Sequence, residues 1–140
     1  MTEDKELLLK DLCARLPYGV VVGTTDNDGS LPNFWTLDSY NYFTEDVIIT
    51  NYESNADRLT CFCDVRPYLF PLSSMTEEQK EELRIRFCYE WGGDINDLHW
   101  QEICIEDAEF LIDFFNENHL DYRSLISMGL AIDATGLDIY

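Results

Sequence analysis

Leu8, Leu12 and Leu16 recur every fourth residue with Leu9 and Cys13 beside them, and this spacing predicts a helix over residues 3–16 with one apolar arc. Thr2 supplies a side-chain cap for its first turn, Glu3, Asp4 and Glu6 suit the positive end of its dipole, and Pro17 ends it. The period then shortens to two. Tyr18–Thr25 reads as a β-branched strand, and Asp26-Asn27-Asp28-Gly29 as the turn of a hairpin. Further strands are expected over residues 33–42, 47–50 and 59–66. In the last, Leu59, Cys61, Cys63 and Val65 alternate with Thr60, Phe62, Asp64 and Arg66. That alternation places both cysteines on the buried face, where thiols act as small hydrophobes. Residues 67–71 then break the strand with an apolar corner between two prolines.

Helical spacing returns in the second half. Thr76-Glu77-Glu78-Gln79 is a capping box, and the serine pair before it reads as turn chemistry. Leu83, Phe87 and Trp91 form one stripe of the helix that follows and Ile85, Cys88 and Tyr89 a second, so it is expected to pack between two layers until Gly92-Gly93 stop it. Another helix is expected over residues 105–118, with Ala108, Leu111, Phe114 and Phe115 inward and Phe110 and Ile112 at the margins. Asp121 then caps a short helix over residues 122–128, closed by Gly129, and residues 130–134 add an edge strand or cover the core. The fold class expected is α+β in a single domain, 1–140. A small antiparallel sheet from about residues 18–66 carries an N-terminal helix and two to three C-terminal helices.

Composition narrows the functions open to such a domain. Apolar residues make up 46% of the 140, enough for a real core, and no apolar run is long enough to cross a bilayer. The acidic N-terminus lacks the basic start of a secretory signal, and five irregularly spaced cysteines argue for reduced thiols in a cytoplasm. Nine Lys and Arg face 28 Asp and Glu, a formal charge of −19. That field disfavours direct binding to nucleic acid or an anionic membrane and attracts basic partners instead.

Candidate chemistry is sparse. The turn at residues 26–29 resembles part of a calcium loop, but aligning Gly29 with the loop's glycine puts Trp35 where a bidentate Glu is required. A zinc site at Cys61 and Cys63 lacks a second ligand pair at suitable spacing, since Cys13, Cys88, Cys104, His99 and His119 stand singly. No metal and no cofactor are expected. There is no nucleophile elbow and no phosphate loop; His99 and Cys104 could pair as a nucleophile and base in principle, but nearness in sequence means little without the fold, and no catalytic residue is assigned. His119, Asp121 and Arg123 could meet at a helix junction, where a lone His is ordinarily structural.

One pattern has a mechanism attached. Glu102, Glu106, Glu109, Asp113 and Glu117 fall within about 80° of one another on a helix, a row of carboxylates on one face. Such a row can imitate a phosphate backbone and occupy a basic groove, although any amphipathic helix also needs a polar outer face. From Asp94 onward 11 acids face one base, Arg123.

Three segments, LLLKDLCARLPYGV at 7–20, VRPYLFPLSSMTEEQKEEL at 65–83 and NHLDYRSLISMGLAIDATGLDIY at 118–140, resemble a family of short acidic proteins encoded by gut Bacteroides-type bacteria and by their phages and prophages. The resemblance carries no activity, ligand or catalytic residue to any position. It implies a cytoplasmic accessory protein of mobile-element context. The expectation is a non-enzymatic protein that binds a basic protein partner through its acidic surface, as a nucleic-acid mimic or inhibitor. The alternative is a small hydrolase using paired carboxylates.

Overall fold

Thr2 caps the first helix as its position predicts: its hydroxyl accepts from the Lys5 amide at 3.3 Å, and α1 spans Glu3–Arg15. The computed structural model describes residues 2–26, 33–86 and 105–140. Leu8 and Leu12 are buried at 1% exposure, each worth roughly 2 kcal/mol of apolar burial. Leu16 is half-buried, and Cys13, expected beside the apolar arc, is exposed. A 3-10 turn, Leu16–Tyr18, carries Pro17 and ends at Gly19, whose φ of 71° suits a residue without a Cβ.

The sheet begins with β1 (Val21–Thr24), β2 (Trp35–Asn41), β3 (Asp46–Asn51) and β4 (Ala56–Cys61), joined in antiparallel pairs. The two hairpin turns among β2, β3 and β4 have one design. Each opens on Asn-Tyr: the Asn41 carboxamide accepts from the amides of Phe43 and Thr44, and the Asn51 carboxamide from those of Glu53 and Ser54. Each closes on a left-handed residue, Glu45 at φ 59° and Asn55 at φ 57°. The turn expected at residues 26–29 lies largely outside the described residues, though β1 and β2, which flank it, do pair antiparallel.

The strand expected over residues 59–66 is two strands. β4 ends at Cys61, a 3-10 turn occupies Phe62–Asp64, and β5 runs over Val65–Pro71 through the segment expected to be a break. The period-two pattern fails because Cys61 caps the turn, its sulfur accepting from the Cys63 amide, and because Phe62 rather than Leu59 enters the core. Phe62 is 1% exposed and Leu59 is 65% exposed. Proline ends most strands for want of an amide hydrogen. Here Pro67 is the last residue β5 pairs with β1, and Pro71 the last it pairs with β6 (Leu120–Asp121). β7 (Ile132–Asp133) pairs in parallel with Tyr68 and Leu69. Among the described residues the result is a seven-stranded mixed sheet, ordered β4-β3-β2-β1-β5-β6 with β7 also on β5, larger than the antiparallel sheet expected. The fold class is α+β, with one N-terminal and two C-terminal α-helices among the described residues.

Those two helices are α2 (Glu77–Arg86) and α3 (Ile105–Glu117). The capping box forms as read: the Gln79 side chain accepts from the Thr76 amide at 2.9 Å, and the Thr76 hydroxyl from the Gln79 amide at 3.2 Å. Leu83 is fully buried against Leu111, Phe114, Phe115 and Leu120, a second core beside the one between α1 and the sheet. Ile85 is 58% exposed, so the second apolar stripe fails at its first member; Phe87, Cys88, Tyr89 and Trp91 lie outside the described residues. The short helix over residues 122–128 is a series of turns, because Ser124 takes a left-handed φ of 60°. Asp121 still caps it, accepting from the amides of Leu125 and Ile126 at 2.8 and 2.9 Å.

One ionic cluster ties the chain's ends together. The Asp11 carboxylate, fully buried, accepts from Arg15 Nε at 2.9 Å and from Arg123 at 2.6 Å. Arg15, also fully buried, donates to the Leu120 carbonyl at 2.7 Å, and both guanidiniums lie over the Tyr122 ring. Removing Asp11 leaves two cations in low dielectric without their counter-charge. Asp11→Ala is expected to cost about 3–5 kcal/mol in a denaturant unfolding titration. Asp26→Ala, which removes the exposed partner of Arg58, should leave the midpoint nearly unchanged. Equal midpoint shifts would contradict this description of the core.

Candidate functional site

α3 presents its acids as the periodicity requires. Leu111, Phe114 and Phe115 turn inward, and Glu106, Glu109, Asp113 and Glu117 are exposed on the opposite side; Glu102 lies outside the described residues. Ala108 and Phe110 are half-buried at the margins, and Ile112 is 44% exposed. Asp113 is held in place, since the Tyr18 hydroxyl donates to it at 3.2 Å. Partial desolvation, together with the charges of Asp113 and Glu117, pushes the Tyr18 phenol above its ordinary pKa. Over the 11-residue rise from Glu106 to Glu117 the helix carries about one carboxylate per 5 Å of axis. A single DNA strand carries about one phosphate per 3.4 Å.

No cation of the chain neutralises this row. Arg15 and Arg123 pair with Asp11, Arg58 with Asp26, Lys80 with Glu77, Arg84 with Glu81 and Arg86 with Asp107. Arg66 donates to the carbonyls of Cys63, Val65 and Gly129. Arg66, and Lys5 and Lys10 on α1, are thus left without a carboxylate partner among the described residues. The pairing is a consequence of number: nine cations serve 28 acids.

The junction at residues 119–123 assembles no shared site. His119, in a left-handed conformation with φ 57°, stacks on Tyr140 with ring centroids 3.5 Å apart. Asp121 is occupied with amides and Arg123 with Asp11. The Tyr140 hydroxyl in turn accepts from the Val21 amide at 3.0 Å and donates to the Tyr68 carbonyl at 2.7 Å, so its aromatic stack anchors the last residues against β1 and β5. Sequence reasoning foresaw a structural histidine but not its aromatic partner, which lies 21 positions away.

A cleft of about 480 Å³ opens where Trp35, Phe34 and Tyr52 meet Ile139, with Glu53 and Asp138 among its walls. Its charged groups are of one sign, which suits a cation and repels phosphate or carboxylate ligands. Among the described residues, no helix is long and apolar enough to cross a membrane. His99 and Cys104 lie outside the described residues, as does half of the loop weighed for calcium. No protein-family model matches the chain, and no curated protein or solved structure is significantly similar to it.

Burial, and secondarily the Arg15 charge, pushes the His119 imidazole down to about 4 from its ordinary 6.5. The unfolded chain therefore binds a proton that the folded chain refuses between those values, and stability must fall as pH drops through that window. The loss reaches about 2 kcal/mol by pH 5. Urea midpoints measured from pH 7.5 to 5 should decline in the native chain and decline much less in His119→Asn, a residue that tolerates the left-handed backbone. An unaltered slope in the variant would show that another group carries the dependence.

Proposed function

We propose that this protein is a non-enzymatic accessory protein that binds a basic protein partner through the outer face of α3. The single observation that carries the reading is the exposed row Glu106, Glu109, Asp113 and Glu117, which no Lys or Arg pairs among the described residues. Ordinary surface helices interleave acids with bases. α2 does so, pairing Lys80 with Glu77 and Arg84 with Glu81. α3 has no base of its own along Ile105–Glu117. An uncompensated row of this spacing is complementary to a basic groove that ordinarily holds a nucleic-acid strand, and it would gain affinity by releasing the ions condensed there. The partner class is therefore a nucleic-acid-binding protein, occupied and blocked by mimicry. The resemblance to short phage- and prophage-encoded proteins supports only the setting, an accessory protein of mobile-element context in a bacterial cytoplasm.

The test compares two charge reversals of equal size. Glu109→Lys with Glu117→Lys alters the row while leaving the Asp113–Tyr18 bond intact. Glu78→Lys with Glu82→Lys alters the exposed side of α2 instead, at two acids outside its ion pairs with Lys80 and Arg84. Binding to an arginine-rich peptide, read by calorimetry, should weaken about tenfold or more for the first pair, a change of about 1.4 kcal/mol, and far less for the second. Equal losses would mean that bulk acidity, and not α3, is recognised.

A further inference from the structure

Cys61 and Cys63 pack against the apolar core, as their alternation suggests, but are not enclosed by it. Both are half-buried, and their sulfurs lie 2.6 Å apart across the 3-10 turn that separates β4 from β5. A cavity of about 190 Å³ opens onto the pair, lined by Lys5, Glu45 and Phe62. The two sulfurs are not equivalent. Cys61 Sγ sits at the cap of the turn and accepts from the Cys63 amide at 3.4 Å, so a negative charge there has a backbone donor. Cys63 faces Asp64, at 3.9 Å from its sulfur. Its thiol is pushed up to about 11, first by its hydrogen bond with Cys61, then by burial and by the charges nearby, so it holds its proton and donates.

We propose that Cys61 and Cys63 form a thiol–disulfide exchange site for small-molecule disulfides such as glutathione disulfide. The Cys61 thiolate attacks one sulfur of the incoming disulfide, forming a mixed disulfide and releasing one thiolate, which takes up a proton. Cys63 then loses its proton to solvent and attacks Cys61 Sγ, closing the Cys61–Cys63 bond and releasing the second thiol. Two cysteine thiols are oxidised and one disulfide is reduced to two thiols, so atoms and electrons balance. The cavity gives the incoming disulfide its approach, between the Lys5 and Glu45 side chains in its wall. A disulfide closing so short a loop is strained and readily reduced again, which makes the site reversible.

A metal centre is the competing chemistry, because Cys61, Cys63 and Asp64 offer ligand atoms within 4.8 Å of one another. Zinc–thiolate bonds of about 2.3 Å in a tetrahedral site hold two sulfurs well beyond 3 Å apart. The observed contact is nearer to a bond between the sulfurs than to a shared ion.

The experiment equilibrates the full chain in glutathione buffers of increasing oxidation, followed by alkylation and peptide mapping. One disulfide per chain, joining Cys61 to Cys63 and reversed by reduced glutathione, is the expected result, with Cys13 still alkylated. Cys63→Ser should accumulate one glutathione on Cys61, an adduct the native chain resolves and does not retain. Far-UV circular dichroism of the variant establishes that it is folded. The proposal is overturned if both thiols stay alkylatable across the series or if the mapped disulfide joins other cysteines. It is equally overturned if Cys63→Ser folds but retains no glutathione on Cys61, or if the purified chain carries stoichiometric zinc that protects the pair.

Discussion

Asp11 is the group on which the arrangement of this chain turns. A carboxylate with no exposure is stable only if its charge is met inside, and here it is met twice, by Arg15 from its own helix and by Arg123 from the far end of the sequence. The second bond fixes where residues 119–123 must lie. Arg15 then reaches the Leu120 carbonyl, which places β6 beside β5, and Tyr122 is held beneath both guanidiniums. The two apolar cores meet at this cluster, α1 belonging to one and Leu120 to the other.

This use of arginine has a consequence at the surface. A chain with nine cations that commits two to its interior, and four more to surface ion pairs, has three left against its 28 acids. The acidic face of α3 and the acid-rimmed cleft at Trp35 are therefore two expressions of one shortage. Exposed like charges repel and lower stability, and they are tolerated where a partner of opposite sign relieves them. The buried cluster supplies cohesion that does not depend on surface pairing.

Much of the architecture was legible in the order of residues, for reasons that are local. Thr2, the Thr76–Gln79 box, the leucines of α1 and the inward stripe of α3 act within one or two helical turns, and they behave as read except at their ends, where Leu16 and Ala108 are half-buried. What failed depended on distant partners. The alternation over residues 59–66 is real as a pattern, but Phe62 offers more apolar surface than Leu59, and turning it inward against Tyr40 requires the chain to bend at Cys61. Prolines that read as a break sit at ladder ends inside β5, visible only once β1 and β6 are in place. The carboxylate row was legible because helical periodicity alone defines it. The dithiol was not, because its two sulfurs meet through a turn that the strand pattern conceals.

The central claim, that α3 is the recognition surface, is tested most directly by mapping where a basic ligand touches the folded chain. Backbone amide chemical shifts would be followed by NMR while an arginine-rich peptide is titrated into the native protein at low salt and again at high salt. The account predicts shifts concentrated along Ile105–Glu117 and on Tyr18, which bonds Asp113, fading as salt screens the row. Shifts spread evenly over every acidic segment, or centred elsewhere and indifferent to salt, would contradict it.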